Sequence, residues 1–110
     1  MNQRDIFLAN LGPVTGQEQD GTRPVVIISG NALNENTDIC IICPITSHIK
    51  NFPGSMVLKK NEQNGLHADS EVITFQVRVL SQKRLIRQLG TVSEEELIKI
   101  REGLVEVLTY

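Results

Sequence analysis

Asp38-Ile39-Cys40-Ile41-Ile42-Cys43-Pro44-Ile45, followed by Thr46 and Ser47, is the stretch on which the fold turns. Isoleucines and small sulfur-bearing residues follow one another without a polar break, over a length that suits a strand better than a helix. A strand apolar on both sides has no solvent face, so it belongs inside a sheet. Pro24-Val25-Val26-Ile27-Ile28, bounded by Ser29-Gly30-Asn31, is a second run of the same kind and also reads as central. The spacing of Cys40 and Cys43 imitates a redox or zinc pair. In a strand, positions three apart point to opposite faces, so these thiols cannot share an ion or form a bridge, and they read as small buried residues.

Outward from this pair, Asp5 to Asn10 reads as a first strand, and Gly12 to Thr22 as a polar loop holding Gly12, Pro13, Gly16 and Gly21. Met56 to Lys59 suits an edge strand, and Asn64-Gly65 signals a turn. Glu71 to Leu80 alternates, which predicts one strand whose polar-leaning face carries Gln76 and Arg78. The period then changes. Leu97, Ile100, Leu104 and Leu108 recur at helical spacing, widened by Ile98 and Val105, and Ser93 with Glu96 forms a capping box. Short strands followed by one helix predict a mainly β protein with α: a small antiparallel barrel with a C-terminal helix packed on it.

The 110 residues, 40% hydrophobic and 22% charged, suit a single domain spanning 1–110 that is neither disordered nor embedded in lipid. No run approaches the about 20 apolar residues of a membrane span, and Met1-Asn2-Gln3-Arg4-Asp5 lacks a signal-peptide core, so a cytoplasmic protein is expected.

The formal net charge of -2 argues at first against a phosphate-rich partner. Its distribution removes that objection. Residues 39–61 carry Lys50, Lys59 and Lys60 and no acid, and residues 72–93 carry Arg78, Lys83, Arg84 and Arg87 and no acid. A fold that joins these stretches presents a positive surface despite the total. With aromatics at 4%, base stacking is a secondary device at most.

Gly16 to Arg23 imitates a phosphate loop but lacks its Lys-Ser/Thr pair, and Pro24 leads into a strand where such a loop opens a helix. What the segment does supply is Arg23 at the mouth of one central strand, while Thr46 and Ser47 follow the other. If the two strands are neighbours, a planar guanidinium and hydroxyl donors converge on one cleft, a combination that suits a phosphate.

These residues also carry a resemblance. Asp5-Ile6-Phe7, Leu11-Gly12-Pro13, Gly16-Gln17-Glu18-Gln19, Gly21-Thr22-Arg23-Pro24-Val25-Val26-Ile27-Ile28 and Cys43-Pro44-Ile45-Thr46-Ser47, with Phe75-Gln76-Val77-Arg78 and Lys83-Arg84-Leu85 later, resemble the MazF/PemK family of toxin ribonucleases. The resemblance implies an SH3-like barrel that forms a homodimer, cuts single-stranded RNA sequence-selectively without metal or cofactor, and is neutralised by a cognate antitoxin. It implies catalytic roles for Arg23 and Thr46, and RNA-groove positions for Glu18, Gln19, Gln76 and Arg78. The chain departs from the family where Gln3-Arg4-Asp5 stands for Arg-Gly-Asp, and where Gln17 replaces a frequent serine. The Gln17 amide can still donate a hydrogen bond, with a different reach from a hydroxyl.

Cleavage without metal would use the RNA 2′-hydroxyl as nucleophile and leave a cyclic phosphate and a 5′-hydroxyl. Arg23 suits charge stabilisation and Thr46 suits phosphate orientation. Glu18 and His48 are the acid–base candidates; His67 has no constellation around it. Two other readings stay open at this point. One is a toxin on the same barrel that acts by protein contact, like the gyrase-poisoning CcdB family; the other is a degenerate relative that only binds an antitoxin or RNA.

Overall fold

In the computed structural model, which describes residues 1–12 and 21–110, the run around Cys40 is strand β3, Ile39–Thr46. It lies between β2 (Thr22–Ile27) on one edge and, on the other, β5 (Ser70–Val72) and β6 (Arg78–Ser81). β1 (Asp5–Asn10) pairs with β2 and with β7 (Leu85–Thr91), and β4 (Met56–Leu58) closes the other end of the order β4-β5-β3-β2-β1-β7. Every ladder is antiparallel. The seven-stranded sheet with its C-terminal helix is the expected fold class, although among the described residues the sheet is not closed into a full barrel.

Because side chains alternate along a strand, the sheet has an apolar cluster on each face. Ile6, Val26, Cys43, Ile45, Leu58 and Val72 pack with Leu97 and Ile100 of helix α2 (Glu94–Thr109). Ala9, Val25, Ile27, Cys40, Ile42 and Leu80 form the cluster on the opposite face. Cys40 and Cys43 therefore sit in different clusters, both as free thiols, as the strand geometry requires. Burial pushes the Cys43 thiol up to about 12.

Two expectations need correction, and two elements escaped the sequence reading. Residues 71–80 are not one strand: β5 ends at Val72, a 3-10 turn covers Thr74–Gln76, and β6 starts at Arg78. Both halves pair with the same edge of β3. From the Ile45–Val72 pair to the Ile42–Arg78 pair, the partner chain advances twice as far as β3, and the surplus residues fold into the turn. Gln76 and Arg78 therefore do not share a strand face.

The helical stripe is only half covered. Leu97 and Ile100 are buried, whereas Ile98, Val105 and Leu108 are exposed. The capping box itself is formed, with Ser93 Oγ accepting from Glu96 N–H at 3.1 Å and Glu96 Oε1 accepting from Ser93 N–H at 2.8 Å. Finally, the short helix α1 (Asn31–Asn36) and β7 carry no period that the sequence reading found. β7 is held by pairing with β1, a contact invisible in its own residues. The Asn64-Gly65 turn is present; Gly65 has φ of 65°, and a Cβ there would meet the Leu89 carbonyl at 2.0 Å.

Candidate functional site

The two central strands are neighbours, with Val25 paired to Pro44, Val26 to Cys43 and Ile27 to Ile42. Continued by two residues, this register sets Arg23 opposite Thr46. Residues directly opposite in an antiparallel ladder share a face, with Cβ atoms about 4.5–5.5 Å apart. The face is that of Val25, Ile27, Cys40 and Ile42. On β1, Ala9 pairs with Arg23, and on the far side of β3, Glu71 pairs with Thr46. With that continuation, one cross-strand row runs Ala9, Arg23, Thr46, Glu71, of which Ala9–Arg23 and Thr46–Glu71 are ladder pairs.

Arg23 is half-buried, and among the described residues its guanidinium has no hydrogen bond or ion pair. Two further arginines reach the same end of the β1–β2 ladder. Arg78 Nη1 donates to the Leu11 carbonyl at 3.4 Å, and Arg84 Nη1 donates to the Asn10 carbonyl at 3.3 Å. Asn10 pairs with Thr22, next to Arg23. The β3–β6 ladder joins the two acid-free stretches of sequence, and Arg78 and Arg84 of the second stand near Arg23 in a chain whose total charge is negative.

The Thr46 hydroxyl accepts a hydrogen bond from the His48 N–H at 3.2 Å, which fixes the turn leaving β3. Ser47 and His48 are exposed in that turn. Gln76 is exposed in its 3-10 turn, and Arg78 begins β6 opposite Ile42. The expected contacts Gln17, Glu18 and Gln19 lie outside the described residues. Thr46, Ser47 and His48 therefore lie in one turn at the end of β3, facing the end of β2 that carries Arg23, while Arg78 reaches that end of the sheet through Leu11. Among the described residues no group of three or more His, Cys, Asp or Glu side chains could hold a metal ion. No helix among them is long and apolar enough to cross a membrane.

One residue of the row was not singled out from the sequence. Glu71 is fully buried, yet its carboxylate is completely solvated by protein. Oε1 accepts from Lys50 N–H at 2.8 Å, Oε2 accepts from Phe52 N–H at 2.8 Å, and the Ser55 hydroxyl donates to Oε2 as well. Burial alone would push its pKa up. The hydrogen bonds from Ser55 and from the backbone of Lys50, Phe52 and Asn51 outweigh it, holding the carboxyl below its ordinary range. No signal in the sequence marks it: the alternation over 71–80 sets Glu71 in step with Phe75, Val77 and Val79, which are exposed, and the segment is not one strand.

Comparison with known proteins gives a consistent result. The family described as PemK-like, MazF-like toxin of type II toxin-antitoxin system matches residues 2–108. The chain is 36% identical over 102 residues to a protein of Staphylococcus epidermidis named Endoribonuclease MazF, covering 91% of this chain and 84% of that one. The crystal structure of MazF from Deinococcus radiodurans superposes with a TM-score of 0.82 at 26% identity, covering 100% of this chain and 97% of the other. A MazE-MazF crystal structure from the same organism superposes with a TM-score of 0.77 at 27% identity, covering 98% and 95%.

Proposed function

The chain belongs to the PemK-like, MazF-like toxin family of type II toxin–antitoxin systems, and from that membership we propose that it is an endoribonuclease cutting single-stranded RNA. Residues 1–110 act as one toxin domain. The observation that carries the reading is the β2–β3 register, which when continued two residues past Val25–Pro44 sets Arg23, whose guanidinium has no hydrogen bond or ion pair among the described residues, across from Thr46 on one face.

RNA brings its own nucleophile. The 2′-oxygen attacks phosphorus, the bond from phosphorus to the 5′-oxygen breaks, and the products are a 2′,3′-cyclic phosphate and a 5′-hydroxyl. The 2′-proton passes to a base while the departing 5′-oxygen gains a proton. As charge builds on the non-bridging oxygens, Arg23 stabilises it with a planar pair of donors, helped by the positive field of Arg78 and Arg84. Thr46 orients the phosphate through its hydroxyl, and Ser47 adds a second donor. His48 lies beside Thr46 as a proton carrier, and Glu18 is the other candidate for that role. Gln17, Gln19, Gln76 and Arg78 contact the flanking nucleotides and set the sequence preference. Metal takes no part in these steps.

Two protomers form the RNA groove, and the exposed apolar side chains Phe75, Val77 and Val79 offer surface for a second copy or for a cognate antitoxin that blocks the groove. Cleavage of messenger RNA in the cytoplasm then stops translation until the antitoxin binds.

The test is incubation of the purified protein with a long unstructured RNA in excess chelator. Discrete fragments are expected, with 5′ ends that polynucleotide kinase labels without prior dephosphorylation. Strict dependence on magnesium would overturn the metal-free chemistry. Tight antitoxin binding with intact RNA would leave a binding protein in place of the enzyme.

A further inference from the structure

We propose that Glu71 is a positioning residue of this site: its buried carboxylate holds the loop of residues 47–55 so that the Thr46 hydroxyl keeps one orientation. The inference deepens the reading of Thr46 above and rests on it.

Three observations converge. First, Glu71 is the ladder partner of Thr46, so both side chains lie on one face of adjacent strands. Second, the hydrogen bonds that reach the carboxylate all come from a single short segment, from the backbone N–H groups of Lys50, Asn51 and Phe52 and from the Ser55 hydroxyl. That segment is shaped for an anion. Asn51 and Gly54 have φ of 56° and 74°, left-handed conformations that curl successive N–H groups toward one point. The anion in this nest is supplied by the chain itself. Third, the same loop returns to Thr46, because the His48 N–H donates to its hydroxyl. The path from Glu71 to the reacting centre is continuous: carboxylate, loop backbone, His48 N–H, Thr46 Oγ1.

A buried ionised carboxylate is a poor way to stabilise a strand. Removing it from water costs several kcal/mol, and an apolar residue of similar size often serves stability as well or better. Its neighbour Val72, fully buried in the same strand, illustrates that alternative. What a carboxylate supplies that valine cannot is two oxygens that gather several N–H donors at one place. The loop is also gripped further along, where Thr74 Oγ1 donates to the Gly54 carbonyl at 2.8 Å and Phe52 meets Phe75 edge-on at 5.1 Å. Those contacts fix its far half. Among the described residues, Glu71 is what ties down Lys50, on the Thr46 side of the loop.

Glu71→Gln keeps the size but replaces one acceptor oxygen by an NH2 group that confronts backbone donors. The experiment measures single-turnover RNA cleavage at saturating protein for wild type, Glu71→Gln, Thr46→Val and the double variant. Circular dichroism checks the fold, and amide hydrogen exchange at Lys50 and Phe52 checks release of the loop. Glu71→Gln is expected to lower the rate about 10- to 100-fold. In the Thr46→Val background it should cost less than about twofold, because the hydroxyl it orients is gone.

A merely structural role predicts the same loss in both backgrounds, and that result overturns the proposal. So does a wild-type rate in Glu71→Gln with the Lys50 and Phe52 amides exchanging freely. Full activity of Thr46→Val is a different failure: it removes the reading of Thr46 itself and the proposal with it. If Glu71→Gln does not fold, Ser55→Ala removes one donor and leaves the carboxylate bound to backbone. Its smaller loss must show the same dependence on Thr46.

Discussion

Arg4 and Val92 hydrogen-bond each other in both directions: the Val92 N–H donates to the Arg4 carbonyl at 2.9 Å, and Arg4 Nη1 donates to the Val92 carbonyl at 3.3 Å. The Arg4 N–H also donates to Ile27 at 2.8 Å, so this residue ties the entry of β1 to the ends of β2 and β7. It does so at φ of 82°. That region costs a residue with a Cβ about 1 kcal/mol or more, and the resembling family carries glycine there. Arg4→Gly relieves the strain but loses the guanidinium contact and enlarges unfolded-state entropy, so its stability should stay within about 1 kcal/mol of wild type. Arg4→Val, β-branched at the same φ, should lose about 1–3 kcal/mol. Urea midpoints compare the two, and equal stability of both variants would contradict this account.

Arg23→Ala should lower RNA cleavage about a hundredfold or more, the usual loss for one preorganised donor at a developing charge. Its stability should change by less than about 0.5 kcal/mol, because the guanidinium has no hydrogen bond or ion pair among the described residues. Arg23→Lys should recover only part of the rate, since an ammonium lacks the planar fork. Unimpaired cleavage by the alanine variant removes Arg23 from the mechanism.

Cys43 should be inert toward thiol reagents in the folded protein at pH 8 and react once urea unfolds the chain, because its thiol is fully buried and pushed up to about 12. The sign of the linked stability follows. The unfolded chain releases the thiol proton near 9 while the folded chain retains it, so stability is intact below that pH. Above it, stability falls by about 1.4 kcal/mol per pH unit until about 12. The Cys40 thiol is raised by burial too and adds a fall in the same direction. Cys43→Ala should flatten its share of the loss in unfolding curves taken from pH 8 to 10.5.

Glu71 acts at the other end of the scale. Its folded-state carboxyl lies below the ordinary carboxylate range, so its contribution is present above that range and is lost as pH falls through it. Melting temperatures between pH 7 and pH 3 should drop more steeply for wild type than for Glu71→Gln, which has nothing to protonate there. Parallel curves would rule out this linkage.

Ser93→Ala removes the side-chain half of the capping box on α2 and should cost about 1 kcal/mol, read from urea unfolding. Cleavage measured well below the melting temperature should be unchanged, because the cap touches none of Arg23, Thr46 or Glu71.

Much of this was legible along the chain. The β-branched runs at 24–28 and 38–45 had to be buried strands, and Ser93 with Glu96 had to open a helix, because period and capping act between near neighbours in sequence. Arg23 and Thr46 stood out at the mouths of those strands for the same local reason. The break between β5 and β6 did not, since each half takes its place from β3 and nothing in residues 71–80 records that partner. The exposure of Leu108 and the existence of β7 likewise depend on what packs against them.

The row through Ala9, Arg23, Thr46 and Glu71 is assembled from four strands. The carboxylate at its end is bound by residues 16 to 21 positions away in the chain. By itself, the sequence determined which segments had to be buried and which side chains could meet a phosphate. Only the tertiary structure decided that a buried glutamate on the three-residue strand β5 would anchor the loop beside Thr46. Alternation reports how much water a residue can lose, whereas a buried charge is tolerable only where distant backbone donors converge on it.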